Sequence, residues 1–257
     1  MTTAQFAQAL RDGKRVYGTS IISPSPLWPN FVKETGMDFV FLDTEHIPHD
    51  RGMLSLLCKL YRAMDILPIV RILSPDPFLA SRAIDAGAAG IVAPYIETAE
   101  QVKALRGAVK LRPLKGEKMQ RILDGEPMTA EMQEYTADYS DYLLIINIES
   151  IAAMDALDEI LAVPQVDALL IGPHDLSCNM DLPEHYDDPR FTEAIRFITE
   201  KARAKKVGAG IHFGWGIEKE IEYGKMGMNF FIHSSDMWQF SESMTEYVKQ
   251  MKQEFPE

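Results

Sequence analysis

The chain has 257 residues, 46% of them hydrophobic and 25% charged, and carries a formal net charge of −12. That length suits one globular domain with a sizeable core; the acidic balance argues against nucleic acid or an anionic membrane as partner, and no apolar run approaches the ~18 residues of a membrane span. Two cysteines, Cys58 and Cys178, make neither a disulfide framework nor a cysteine-rich zinc site, and the opening Met-Thr-Thr-Ala-Gln-Phe shows no signal pattern, so the expected compartment is the cytoplasm.

Short β-rich apolar runs recur, in chain order, at Val16–Ser20, Phe39–Asp43, Leu67–Ile72, Gly90–Pro94, Leu143–Glu149, Ala168–Ile171, Val207–His212 and Asn229–His233. Segments with helical spacing separate them. Cys58, in Leu-Leu-Cys-Lys-Leu, reads as a helix core residue. Asp76-Pro77 and Asp188-Pro189 read as N-caps followed by proline in the first helical position. Thr98-Ala-Glu-Gln101 reads as a capping box, with Val102, Leu105 and Val109 following at helical spacing. Gly87 suits the end of a helix. Eight such alternations in a chain of this length predict an α/β fold, a (β/α)8 TIM barrel in a single domain over 1–257, with an open doubly wound sheet as the alternative. The rhythm breaks once. Leu111–Tyr142 has no strand signal, only Arg112-Pro-Leu-Lys-Gly-Glu-Lys118 and a helix near Thr129–Ala137. An insertion that long usually serves function or subunit contact.

In such a barrel the chemistry sits at the C-terminal ends of the strands. Asp43, Glu45 and His46 follow the second run, and Arg71 ends the third. Asn147, Glu149 and Ser150 end the fifth; Gly172, Pro173, His174 and Asp175 follow the sixth; His212 ends the seventh. A carboxylate at the end of a buried strand needs a partner. For Glu149 that is either a salt bridge to Arg71 or a metal, with Asp175 as second carboxylate. Two carboxylates completed by waters and substrate oxygens suit Mg²⁺, Mn²⁺ or Co²⁺ better than zinc. Asp43 and His46 are either part of a polar surface turn or a carboxylate orienting an imidazole for acid–base work, and Arg71 on the adjacent strand favours the second. The glycines of Val207-Gly-Ala-Gly-Ile-His-Phe-Gly-Trp-Gly216 suit packing and turns as well as a phosphate site. Neither a Walker A motif nor a Rossmann fingerprint stands at a strand–helix junction, so no nucleotide is expected.

These motifs together resemble the HpcH/HpaI aldolases, the class II, metal-dependent pyruvate aldolases of which 2-dehydro-3-deoxyglucarate aldolase is a member. The likeness rests on Asp43-Thr-Glu-His46, Val70-Arg71, Ile84-Asp85-Ala-Gly87, Ile148-Glu149-Ser150, Gly172-Pro-His-Asp175-Leu-Ser177 and Ala156-Leu-Asp-Glu-Ile-Leu161. The resemblance implies that Glu149 and Asp175 hold the metal, that Arg71 stabilises the enolate, and that His46, oriented by Asp43, moves protons. It places substrate against the amides near His174 and Asp175, with Gly172, Pro173, Asn147 and His212 around it. It also implies a homohexamer in which Asp85 approaches a neighbouring subunit's site, and a small anionic oxo acid as substrate. The expected reaction is cleavage or formation of a 2-oxo-4-hydroxy acid through a pyruvate enolate. No Schiff-base lysine is called for, and none of the eight strand runs carries a lysine.

Three departures mark this chain. The family's Pro-Leu-Gly-x-Arg-Gly loop reads Pro113-Leu-Lys-Gly-Glu-Lys118 here, Asn147 replaces the usual glutamine, and His212 replaces an apolar residue. Lysine does not grip a carboxylate as arginine does. The changed Lys115–Lys118 segment motivates a second reading, a Claisen-type transferase condensing oxaloacetate with acetyl-CoA to give citrate. A third reading, a non-catalytic metabolite-binding barrel, is disfavoured by the intact carboxylates, arginine and histidine.

Overall fold

A computed structural model describes residues 1–214 and 216–255; Trp215, in the glycine-rich stretch singled out above, lies outside them. Eight strands close into one parallel barrel in sequence order: β1 (Val16–Ser20), β2 (Phe39–Asp43), β3 (Leu67–Arg71), β4 (Gly90–Ala93), β5 (Leu143–Ile148), β6 (Ala168–Ile171), β7 (Gly208–Phe213) and β8 (Phe230–Ser235). The predicted TIM barrel is thus observed. The strand bounds agree to within two residues, so each candidate strand-end residue falls where the chemistry of this fold is found. Register puts Asp43 opposite Arg71 and Ile148 opposite Ile171.

Helices cover the outside. They are α1 (Thr3–Arg11), α2 (Trp28–Glu34), α3 (Arg51–Ala63), α4 (Pro77–Ala86), α5 (Ala99–Lys110), α6 (Gly116–Leu123), α7 (Ala130–Ser140), α8 (Ile151–Asp155), α9 (Leu157–Ala162), α10 (Pro173–Asn179), α11 (Pro189–Ala204), α12 (Ile217–Lys225) and α13 (Asp236–Glu254). The local signals act as read. Asp76 and Asp188 cap α4 and α11, each with proline next. Thr98 and Gln101 close a reciprocal capping box, and Gly87 ends α4 with a φ of +111°. Cys58 is fully buried, and burial pushes its thiol up to about 12. Among the described residues no helix is long and apolar enough to cross a membrane.

Two cores result. One lies between strands and helices. The other fills the barrel itself, where Phe39, Phe230, Ile145 and Leu170 meet Phe6 and Leu10 from α1. The Phe6 ring stands edge-on to Phe39 at 5.5 Å and to Phe230 at 6.2 Å. This plug closes the N-terminal end of the barrel and leaves one open mouth. The insertion forms α6 and α7, which pack outside α5. A Cβ on Gly107 would meet Met119 Sδ at 3.0 Å and Leu123 Cδ1 at 3.2 Å, so the glycine admits α6.

α13 departs from the pattern. Of its nineteen residues only Asp236 is buried, and Trp238, Phe240, Tyr247 and Met251 are exposed.

Glycine is required where β7 meets β8. A Cβ on Gly210 would lie 2.3 Å from the Phe230 carbonyl oxygen and 2.4 Å from its ring. Gly210→Ala is expected to destabilise the fold by about 3 kcal/mol through overpacking. Urea unfolding checks this, and a loss below about 1 kcal/mol would show that the barrel yields at little cost.

Candidate active site

Asp43 and Arg71 end adjacent strands and meet at the rim. Arg71 donates from Nε to Asp43 Oδ1 at 2.9 Å and from a terminal nitrogen to Oδ2 at 2.6 Å, the bidentate geometry of a strong charge-assisted pair. Burial raises the Asp43 pKa, but the Arg71 bonds outweigh it and hold the carboxyl below its ordinary value. Asp43 Oδ1 also accepts from the Glu45 backbone N–H at 2.9 Å. The expectation that Asp43 orients the His46 ring is therefore corrected. Asp43 touches only the His46 backbone N–H, at 3.5 Å, and the side chain near the ring is Glu45, with Oε1 3.8 Å from Nε2. Asp43 is committed to the guanidinium and the turn. Glu45 also reaches Arg71, 3.2 Å from Oε2 to Nε.

Across the barrel, Glu149 follows directly on β5. It makes no salt bridge to Arg71. Its Oε1 accepts from the Tyr95 backbone N–H at 2.6 Å and its Oε2 from Asn147 Nδ2 at 2.8 Å. Burial pushes the Glu149 pKa up; those two bonds oppose the rise, and the Asp175 and Glu45 charges add to it. Gly172 lies between the two carboxylates. A Cβ there would sit 2.9 Å from Glu149 Oε2 and 3.6 Å from Asp175 Oδ2, so the missing side chain leaves open the space they share. Asn147 Oδ1 is buried without a hydrogen-bond partner.

That donor set fits a hard divalent cation. Two carboxylates raise each other's proton affinity unless positive charge lies between them, the space is open, and an orphaned amide oxygen stands ready to accept from a water. Among the described residues no group of three or more His, Cys, Asp or Glu converges. A structural zinc site takes four protein ligands, more than this set supplies.

One cavity of about 650 Å³ gathers the predicted residues Asp43, His46, Arg71, Asn147, Gly172, Pro173, His174, Asp175 and His212. Pro173 opens α10, and Asp175 lies in its first turn. The His174 ring turns outward to Glu184, at 3.4 Å. Asp85 is not part of this cavity. It is exposed and pairs with Arg112. Lys115 and Lys118 do not line it either, so the structure does not bring the Claisen reading's motivating segment to this chain's own site.

The tertiary structure adds residues the sequence reading missed. Ser20, Ser234, Ser235, Ile22 and Trp238 line the cavity. Asp236 accepts from the Ile22 and Ser23 backbone N–H groups at 2.9 and 3.0 Å, fastening the loop after β1 beside the mouth. Tyr95 is held at a φ of +55°. A list of every polar side chain just beyond a strand, rather than of charges alone, would have named Tyr95 and the serines.

Comparison with known proteins now adds to this geometry. A model of the HpcH/HpaI aldolase/citrate lyase family matches residues 24–242. The chain belongs to that family. The hydroxypyruvate/pyruvate aldolase of Roseovarius nubinhibens is 30% identical over 210 residues, 81% of this chain and 82% of the relative. The 2-dehydro-3,6-dideoxy-6-sulfogluconate aldolase of Pseudomonas putida is 30% identical over 238 residues, 91% of this chain and 92% of the relative. In fold, the crystal structure of an HpcH/HpaI aldolase from Desulfitobacterium hafniense DCB-2 superposes with a TM-score of 0.82 at 24% identity, over 95% of each chain.

His212 lines the cavity on its β7 side. Burial pushes its pKa down to about 4. Its Nε2 lies 3.2 Å from the Ser234 carbonyl oxygen, so the neutral ring donates there and leaves Nδ1 as an acceptor. Because the folded value lies below the ordinary 6.5, unfolding takes up a proton between the two. Stability therefore rises with pH from about 4 to 6.5 and is lost as pH falls through that window, with on the order of 3 kcal/mol at stake. His212→Leu is expected to flatten this limb in urea unfolding measured against pH. A limb as steep as that of the unsubstituted protein would show that His212 does not cause it.

Proposed function

We propose that the protein is a divalent-metal-dependent aldolase that forms or cleaves 2-oxo-4-hydroxy acids through the enolate of pyruvate. The observation that carries this reading is the open space at Gly172 between Glu149 and Asp175, beside an arginine fixed by Asp43. Two relatives named as aldolases, each 30% identical over most of both chains, support it.

Glu149 and Asp175 hold the cation, with Mg²⁺, Mn²⁺ and Co²⁺ as the candidates. When bound, it supplies Lewis acidity toward the keto oxygen and offsets the carboxylate charge. The remaining work falls to the chain. The N–H groups of His174 and Asp175, in the first turn of α10, lack helical partners and suit the substrate carboxylate. Arg71 presents its guanidinium, held by Asp43 before the reaction begins, toward the oxygen on which charge develops as the C3–C4 bond breaks. Preorganised donors of this kind contribute about 3 kcal/mol each. His46, at the exposed rim, accepts the 4-hydroxyl proton in cleavage and returns it in condensation. Among the described residues that line the cavity none is a lysine.

Pyruvate methyl protons are expected to exchange in D₂O with Mn²⁺ or Mg²⁺ and not without it, as followed by proton NMR. Glu149→Ala and Asp175→Ala should each abolish the exchange and weaken Mn²⁺ binding at least about tenfold. Arg71→Lys should slow the exchange by about a hundredfold with metal binding intact. Metal-independent exchange, or unchanged Mn²⁺ affinity in both carboxylate variants, would remove this assignment.

The same reading makes the enzyme cytoplasmic and a homo-oligomer, a hexamer. The support for assembly is α13, whose Phe240, Tyr247 and Met251 lie exposed, and an apolar recess of about 480 Å³ on the barrel wall, lined by Tyr17, Met37, Ile217, Ile221 and Phe231. Exposed apolar surface of this kind marks an interface. Light scattering should give the mass of six chains of 29.0 kDa. Phe240→Glu with Tyr247→Glu should lower it; a monomeric wild-type protein would overturn the oligomer.

A further inference from the structure

Glu45 and Tyr95 lie between the two halves of the site and have no part in the reading so far. Glu45 occupies a junction. Its Oε1 is 3.8 Å from His46 Nε2, and its Oε2 is 3.2 Å from Arg71 Nε and buried without a hydrogen bond. The Glu45 carboxylate is the first cause that pushes the Tyr95 phenol up to about 12. A tyrosine at a φ of +55° is uncommon and costs backbone strain. The strained backbone turns the Tyr95 N–H onto Glu149 Oε1 at 2.6 Å.

His46 needs such a partner. Its side chain is 64% exposed, so packing does not hold the ring. Among the described residues no carboxylate but Glu45 lies within ion-pair distance of it. Asp43 meets the His46 backbone N–H rather than its ring. Both Asp43 oxygens are engaged by Arg71.

We propose that Glu45, lodged beside Arg71, is the positioning residue for His46, whereas Asp43 positions Arg71. The inference rests on the aldolase reading and divides its labour. Asp43 serves enolate stabilisation. Glu45 aims the imidazole at the 4-hydroxyl proton and balances the positive charge that the ring gains when it takes that proton. The Glu45 side chain is only 10% exposed and lies within ion-pair distance of Arg71, so the carboxylate has limited freedom of its own.

Double-mutant cycles separate the two pairs. The assays are Mn²⁺-dependent addition of pyruvate to glycolaldehyde and, in parallel, exchange of pyruvate methyl protons. Glu45→Gln should lower kcat for addition about thirtyfold while KM for pyruvate and the exchange rate stay within about threefold. Combined with His46→Asn it should cost little more than His46→Asn alone. Asp43→Asn should instead raise KM for pyruvate, slow exchange, and multiply with His46→Asn. Multiplicative losses for Glu45→Gln with His46→Asn, or equal losses in exchange and addition, would overturn the assignment while leaving the aldolase reading intact. Wild-type protein that shows no metal-dependent exchange would overturn both.

Discussion

The guanidinium of Arg71 lies in the plane set by two parallel hydrogen bonds to Asp43, and the mouth of the barrel is organised around that pair. Strand pairing brings the two residues opposite each other, so their meeting depends on the closed sheet rather than on loop conformation. Charges taken from water are tolerated when their hydrogen bonds are satisfied. Asp43 meets that condition through Arg71 and the N–H groups of the turn that follows it. Three further carboxylates lie close by: Asp175 lines the cavity, Glu45 lies beside Arg71 and Glu149 beside Gly172; among the described residues that line the cavity Arg71 is the one arginine. This excess of negative charge is the electrostatic demand that a divalent cation answers.

The scaffold below makes that arrangement possible. Phe6 and Leu10 from α1 seal the opposite end of the barrel against Phe39 and Phe230. Water and substrate therefore enter from one side, where the low-dielectric wall strengthens interactions with developing charge. Above it, Asp236 pins the loop after β1 through two backbone N–H groups, and Tyr95 pins Glu149 through its own. These backbone bonds hold the charged side chains in place without spending their remaining donors and acceptors.

His212 and Ser234 give the β7–β8 side of the cavity a different character from the side that holds the carboxylates. The neutral imidazole carries no charge near neutral pH, and the Ser234 hydroxyl is buried without a partner at a φ of +49°. Strain and unsatisfied polarity concentrated at one wall are the mark of a surface shaped for a ligand rather than for folding.

Most of the fold was legible in the sequence because its signals are local. Apolar runs of strand length, Asp-Pro caps, the Thr98–Gln101 box and Gly87 each act within a few residues. The identity of the strand-end residues followed, since barrel closure places every strand end on one rim. What each of them does was not legible. Whether Asp43 serves His46 or Arg71 depends on which side chain approaches its free oxygens, and the pairing of β2 with β3 settles that over a gap of 28 residues. Whether Glu149 pairs with Arg71 or faces Asp175 depends on the barrel's curvature. Tyr95 carries no motif, and its left-handed backbone sets its N–H on Glu149 across 54 residues. The sequence by itself determined the barrel and the chemical types gathered at its mouth, because periodicity and capping are properties of neighbouring residues. Only the tertiary structure decided the partnerships among them, because hydrogen bonds between charged groups are set by distances across the barrel that no spacing along the chain encodes.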